Sequence, residues 1–295
     1  MDGKRVEIMA DKNMAKEIAR QALDVRINIL NIARKHKIHI GGDLSVTDVM
    51  AAIWHYMMKY DPQNAKWEGR DRFILSKGHG AAVTSLNQAA IGCYAYGEVI
   101  REYATDFGRF GMHSCNLRNP HVEVSTGSLG HGLPVSTGVA QGLRLKGNTE
   151  SRVYTVVGDG EAEEGSVWEA ISYAKTLGLG NLICFVDSNG LQCTGPVGNV
   201  SSIAPIEEKF KAFGWNVAEV DGHDIVQLMD LYDHFPDTDS DTPTAVIAHT
   251  VKGKGVSYME DCASWHNGMV TQEQYDQAVG ELYAEFERKW GKCNE

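Results

Sequence analysis

With 295 residues, 43% of them apolar and 23% charged, the chain is long enough to bury a sizeable core and has the composition of a globular protein. Its formal charge of −11 argues against a dedicated binder of nucleic acid or of anionic membranes, because phosphate surfaces attract basic patches. Six cysteines (Cys93, Cys115, Cys184, Cys193, Cys262, Cys293) form no Cys-x-x-Cys pair, which disfavours a zinc knuckle or disulfide framework and points to reduced thiols in a cytoplasmic protein. No signal-type apolar block opens the sequence, and no run of about 18 apolar residues is available to span a bilayer.

After a polar start, Ile18, Ala22, Val25, Ile29 and Ala33 recur at helical spacing and predict a helix ending near His36. A second helix is expected from Thr47, with Thr47-Asp48 as its capped start and Val49, Ile53 and Met57 on its apolar side. Arg72 to Leu75 reads as a short buried strand, with Ser76 to Gly80 as the loop at its carboxyl end. Strand and helix then alternate: strand Val153 to Val157, helix through Val167, Ile171, Ala174 and Leu177, strand Leu182 to Val186, a helix around Phe210, strand Trp215 to Val220, helix Ile225 to Leu231, strand Ala245 to Ala248. Such βαβ repetition predicts an α/β fold, a mostly parallel sheet with helices on both faces and its ligand at the carboxyl ends of the strands. Pro236 to Pro243 reads as an acidic surface loop, and Thr271 with Gln274 as the capping box of a last helix carrying Tyr275, Val279, Leu282 and Phe286. The expected organisation is an N-terminal arm over 1–12, one binding domain over 13–268 and a C-terminal helical extension over 269–295.

The sharpest signal is Gly158-Asp159-Gly160 directly after one strand, with Asn189 directly after the next and 28 residues, 161 to 188, between them. Two neighbouring strand ends can bring a carboxylate and an amide oxygen onto one hard cation. The glycines let backbone approach a phosphate, and the following helix aims its amide-rich end at the same place. Oxygen donors suit magnesium or calcium, and magnesium commonly shares its shell with phosphates, so a diphosphate held through a divalent metal is the inference. Gly-Asp-Gly alone is a common turn. Its position between these strands is what makes it a site. It is not a dinucleotide fingerprint, since a third glycine is missing and Glu161 and Glu163 stand where a pyrophosphate would need bare backbone.

These residues resemble the thiamine-diphosphate enzyme motif, and the surrounding text resembles the transketolase family. The matching stretches are Phe73 to His79, Ser125 to Gly130, Gly158 to Gly165, Asp187 to Gln192 and His249 to Gly255, within a likeness running from about His39 to His266. The resemblance implies the diphosphate-binding domain of the thiamine-diphosphate-binding fold, with thiamine diphosphate and Mg2+ as cofactors and Ca2+ or Mn2+ as substitutes. It implies Asp159, Asn189 and the Leu191 carbonyl as metal ligands, Gly158 and Gly160 against the diphosphate, and Gly127 and Leu129 against the aminopyrimidine. His39, His79, His113 and His266 correspond to active-site histidines, His79 near the diphosphate and His113 near the donor's first hydroxyl. Lys252 corresponds to a residue reaching the diphosphate. Glu164, grouped here with the cofactor-site residues, matches a glutamate of a carboxylate cluster at the subunit interface; Glu163 and Glu164 can equally be first-turn acids complementing a helix dipole. Lys77 reads as a solvated charge, and His36, His55, His234 and His249 as surface or core histidines. The text departs from the family pattern at His131, at Ile38-His39-Ile40-Gly41 and near Gly268, where a basic group is usual.

The activity so implied is transfer of a two-carbon ketol unit from a ketose to an aldehyde, with sugar phosphates or sulfosugars as substrates. In this family the glutamate that activates the cofactor belongs to a pyrimidine-binding domain beyond the part matched here. A C-terminal partner subunit carrying that domain, in an α2β2 assembly, is therefore expected. Two rivals remain at the sequence level: the α subunit of a 2-oxo-acid dehydrogenase, whose Asn-Arg-Tyr-Gly text is absent, and a non-catalytic subunit retaining the fold.

Overall fold

The computed structural model describes residues 2–201 and 203–292, with side chains from Lys12 onward. Its first helices are α1 (Asp2–Ala33), α2 (Ile40–Ser45), α3 (Thr47–Ala52), α4 (Ala81–Ala90), α5 (Tyr96–Glu102) and α6 (Gly132–Leu145). They are followed by α7 (Gly165–Thr176), α8 (Val197–Val200), α9 (Ile206–Ala212), α10 (Ile225–Asp233) and α11 (Gln272–Trp290). All five expected strands form: β1 (Arg72–Leu75), β2 (Val153–Gly158), β3 (Leu182–Ser188), β4 (Asn216–Asp221) and β5 (Thr244–His249). They pair in the order β1-β2-β3-β5-β4, every pair parallel.

Side-chain alternation along the strands divides the interior into two cores. Tyr154, Val156, Ile183, Phe185 and Val246 point to the face covered by α1 to α5, α10 and α11, while Val153, Val157, Leu182, Val186 and Ile247 point to the face covered by α6, α7 and α9. β2 and β3 lie between helices on both faces, so they are buried along nearly their whole length and mostly apolar rather than alternating. β4, at the edge, is largely exposed or half-buried and carries polar residues.

The α1 stripe is buried as its spacing requires, with Ile18, Ala22, Val25, Ile29 and Ala33 all at or below 1% exposure. Residues 2–12 of the expected N-terminal arm continue this helix. At the other end, the Thr271 hydroxyl accepts from the Gln274 N–H and the Gln274 side chain accepts from the Thr271 N–H, the capping box expected for α11. Ala278, Leu282 and Phe286 then pack into the same core as α1, so the C-terminal extension is part of that core.

Several elements differ from expectation. Thr47 does not cap a helix: its hydroxyl donates to the Asp43 carbonyl, because α2 precedes it and leaves no free amide end to cap. The adjacent glycines Gly41 and Gly42 lie inside α2, where an alanine Cβ on Gly41 would meet the Trp265 carbonyl at 2.6 Å. α4 carried no amphipathic signal because nine of its ten residues are buried. Among the described residues no helix is long and apolar enough to cross a membrane, and Cys93, Cys115, Cys184, Cys193 and Cys262 are unpaired; Cys293 lies outside the described residues.

Candidate active site

In a parallel sheet all carboxyl ends face one side, and here the loops after β1, β2, β3 and β5 meet around a cavity of about 300 Å³. β1 delivers Lys77 and His79, β2 delivers Asp159 and Gly160, β3 delivers Asn189 and Leu191, and β5 delivers Lys252. His39, at the start of α2, His113, Gly127, Leu129, Gly158 and His266 complete the expected set on the cavity wall. Glu164 does not join them: it is exposed at the N-cap of α7, and the glutamate lining the cavity is Glu161.

Asp159 and Asn189 meet because Gly158 pairs in register with Asp187. The Asp159 carboxylate accepts from the Gly160 N–H at 2.7 Å and from the Gly190 N–H at 2.6 Å, so both strand ends converge on it. Burial raises its pKa to about 6, Asp187 pushes in the same direction, and the two amides and Lys77 oppose. The Asn189 Nδ2 donates to Asp187 Oδ2 at 3.0 Å, while its Oδ1 accepts from the Leu191 N–H at 3.1 Å. Lys252 Nζ donates to the carbonyls of Leu191 at 2.9 Å and Gln192 at 3.4 Å and lies 3.2 Å from His266 Nδ1. Burial first and Lys77 second lower Lys252 to about 8.

Lys77, read from sequence as a solvated charge, is 1% exposed. Its ammonium pairs with the buried Asp187 and donates to the Gly42 carbonyl at 2.9 Å. A buried ammonium requires such partners, and this one stands 110 positions away in the chain, which no local pattern could reveal. Glu161 was likewise missed as a wall residue. It is 3% exposed and accepts from Ser76 Oγ at 2.6 Å, the Gly130 N–H at 2.9 Å and the Gly158 N–H at 3.0 Å, tying three loops together. Gln192 and Cys193 also line the cavity without having been singled out; their only sequence signal was adjacency to Leu191.

The four expected histidines form one cluster. The His39 ring lies 5.4 Å from His79, 5.7 Å from His113 and 5.5 Å from His266, and His79 lies 5.5 Å from His266. Burial, reinforced by neighbouring histidines (His113 for His39) and by Lys252 and Lys77, lowers His39 and His79 and brings His266 to about 4. These three imidazoles are thus neutral near pH 7. His36, His55, His234 and His249 lie outside the cavity. The loop bearing Gly127 reaches the wall by packing on Gly78, where an added Cβ would come within 2.5 Å of the Gly127 nitrogen.

The donor set fits a hard cation bridging to a phosphate: one carboxylate, one amide oxygen and one backbone carbonyl, beside glycine backbone and a lysine. Among the described residues no three His, Cys, Asp or Glu side chains are grouped so that they could hold a metal ion. Residues 15–287 match the family described as transketolase, thiamine diphosphate binding domain. The chain belongs to the transketolase family. It is 36% identical over 267 residues to an apulose-4-phosphate transketolase subunit of Phocaeicola vulgatus, covering 89% of this chain and 92% of that one. It is 35% identical to the 6-deoxy-6-sulfo-D-fructose transketolase subunit SqwG of a Clostridium species, covering 84% and 89% respectively. The human transketolase is 32% identical over 83% of this chain, which spans only 38% of the human one. The solved transketolase of Leishmania mexicana superposes with a TM-score of 0.82 at 25% identity, over 92% of this chain and 41% of that one. The five-stranded parallel sheet is therefore the transketolase cofactor-domain fold, and thiamine diphosphate is the cofactor of the family domain matched.

Proposed function

We propose that the chain is the thiamine-diphosphate- and magnesium-binding subunit of a two-subunit transketolase, which moves a two-carbon ketol unit from a ketose to an aldehyde. The observation that carries this reading is the convergence of the Asp159 carboxylate and the Asn189 amide at adjacent strand ends, in the cavity that also holds four imidazoles. In this reading Asp159, Asn189 and the Leu191 carbonyl hold Mg2+, for which Ca2+ or Mn2+ can substitute. Gly158, Gly160, His79 and Lys252 receive the diphosphate, and Gly127 and Leu129 face the aminopyrimidine. Glu164, exposed at the start of α7, is assigned to a subunit interface.

When bound, thiamine diphosphate supplies the electron sink for the carbanion left by cleaving a ketose between its second and third carbons. The chain's own part is binding, orientation and proton movement. His39, His113 and His266 reach the sugar. Because burial and nearby cations keep His39 and His266 neutral, either can take the donor hydroxyl proton and return it in the second half-reaction.

The glutamate that activates the aminopyrimidine is assigned to a separate C-terminal subunit carrying the pyrimidine-binding domain, in an α2β2 assembly in the cytoplasm. Relatives matched nearly end to end are named as subunits, and the chain spans 38% of the human transketolase, which supports the division. The substrates are assigned to the sugar phosphates and sulfosugars, the two classes in those relatives' names. Residues 13–268 are assigned to the binding domain, flanked by 1–12 and 269–295.

The test is calorimetric titration of the chain with thiamine diphosphate, with and without Mg2+, then a ketol-transfer assay alone and with the candidate partner. Magnesium-dependent binding, and turnover only by the pair, are expected. Full turnover by the single chain would refute the two-subunit reading; absence of magnesium-dependent binding would refute the cofactor site and favour a non-catalytic subunit. Decarboxylation of a 2-oxo acid by the pair would favour the dehydrogenase reading.

A further inference from the structure

We propose that Asp187, held in place by Lys77, is the positioning residue of the cation site, because it fixes which end of the Asn189 amide faces the cation. The inference rests on the proposed cation-binding role of Asn189. A primary amide presents an acceptor at one end and a donor at the other, and the two ends have nearly the same shape. An amide turned by half a rotation would direct N–H groups at a metal ion and repel it. A ligand of this kind needs outside contacts that distinguish its ends.

Asp187 supplies one such contact. Its Oδ2 accepts from Asn189 Nδ2 at 3.0 Å, and an ionised carboxylate can accept but cannot donate. The Leu191 N–H, which donates to Asn189 Oδ1 at 3.1 Å, demands the same orientation from the other end. Asp187 is itself held by three other side chains. It stands at the end of β3 at 1% exposure and accepts from Ser45 Oγ at 2.7 Å, from Lys77 Nζ and from Thr250 Oγ1, so groups following β1 and β5 and a residue of α2 all converge on it. Lys77 gives this buried acid its counter-charge. Lys77 lines the cavity but commits its ammonium to Asp187 and the Gly42 carbonyl, and Asp187, which is not on the wall, acts on the cavity through Asn189; this accounts for a lysine and an aspartate that the cofactor-binding set does not otherwise use.

Two variants of equal net charge separate hydrogen-bond acceptance from electrostatics. K77M/D187N removes both charges but keeps a side-chain oxygen able to accept from Asn189, its amide oriented by Ser45 Oγ, which donates to that oxygen position, and by Thr250 Oγ1, which can accept from its N–H, whereas K77M/D187L removes the charges and the acceptor. Binding of Mn2+ to the full chain in the presence of thiamine diphosphate is read by electron paramagnetic resonance, alongside the melting temperature of the metal-free variants. K77M/D187L is expected to bind Mn2+ about 10- to 100-fold more weakly than K77M/D187N, the range typical for losing an outer-shell partner. Equal affinities of the two folded variants would overturn the inference. If the wild-type chain binds no Mn2+ while melting normally, the cation-site reading itself falls, a different outcome from equal affinities. A second measurement needs neither variant to fold: the Asn189 side-chain amide resonance, identified by its loss in N189D, should exchange its hydrogen-bonded proton slowly in the wild-type protein. Exchange as fast as that of an exposed asparagine would overturn the inference.

Discussion

Replacing Asp48 by asparagine should destabilise the chain by ~3–5 kcal/mol at pH 7, because it leaves a buried guanidinium without its counter-charge. Arg26 and Asp48 are each 7% exposed, and the guanidinium makes two parallel bonds to the carboxylate at 2.8 and 2.6 Å. The same carboxylate accepts from His223 Nδ1 at 2.8 Å, and His223 Nε2 accepts from the Val251 N–H at 2.9 Å. The network therefore runs from α1 and α3 to the residue beside Lys252. Burial by itself would raise the Asp48 carboxyl, but Arg26 and then His223 hold it well below the usual carboxylate range. A depressed folded pKa gives stability that is complete above the unfolded value of about 4 and is lost as pH falls below it. Guanidinium denaturation at pH 7 should show the full deficit of D48N, and the difference from wild type should shrink as pH is lowered from about 4 toward 2. R26M/D48L, which removes both charges, should lose only the ~1–3 kcal/mol of an orphaned His223 N–H. The reasoning is refuted if D48N lies within about 1 kcal/mol of wild type at pH 7, or if the double variant is as damaged as the single one.

Lys252, lowered to about 8 chiefly by burial, should make thiamine diphosphate affinity level below pH 8 and falling by up to ~tenfold per pH unit above it. K252M should weaken binding about 10- to 100-fold and flatten that profile in calorimetric titrations; an unchanged profile would remove Lys252 from the diphosphate site. Burial raises Asp43 to about 7 against the pull of the Val83 N–H and Lys77, so its contribution is most favourable below pH 4 and declines as pH rises to about 7. D43N should abolish up to ~4 kcal/mol of that decline, seen as a gain in melting temperature over wild type that is larger at pH 8 than at pH 5; parallel melting curves would contradict it. D159N should eliminate the magnesium-dependent near-ultraviolet circular dichroism change on cofactor addition. Its metal-free melting temperature should be unaltered or higher near pH 5, since burial already keeps Asp159 partly protonated up to about 6. In the wild-type protein a chelator should reverse the same signal.

The sequence by itself determined the strands, the amphipathic helices α1, α7, α10 and α11, and most of the cavity wall, but it gave no reading of α5 or α6. A short β-branched run and a 3.6-residue apolar stripe depend only on where an element meets apolar neighbours, so Val153 to Val157 and the α1 stripe could be read without knowing what covers them. Asp159 and Asn189 were legible for a related reason: each directly follows a strand, and consecutive parallel strands that pair bring their ends together. Tertiary structure alone decided whatever depends on partners distant in the chain. α4 is buried on every side and has no polar face to mark its period, and the glycines of α2 are set by the approach of Trp265. Lys77 became a buried ion-pair partner, and Glu161 rather than Glu164 the glutamate of the wall, because their environments are assembled from loops that only the closed sheet brings within bonding distance. Charge burial is a property of the finished interior, and the order β1-β2-β3-β5-β4 is what gathers those loops on one side.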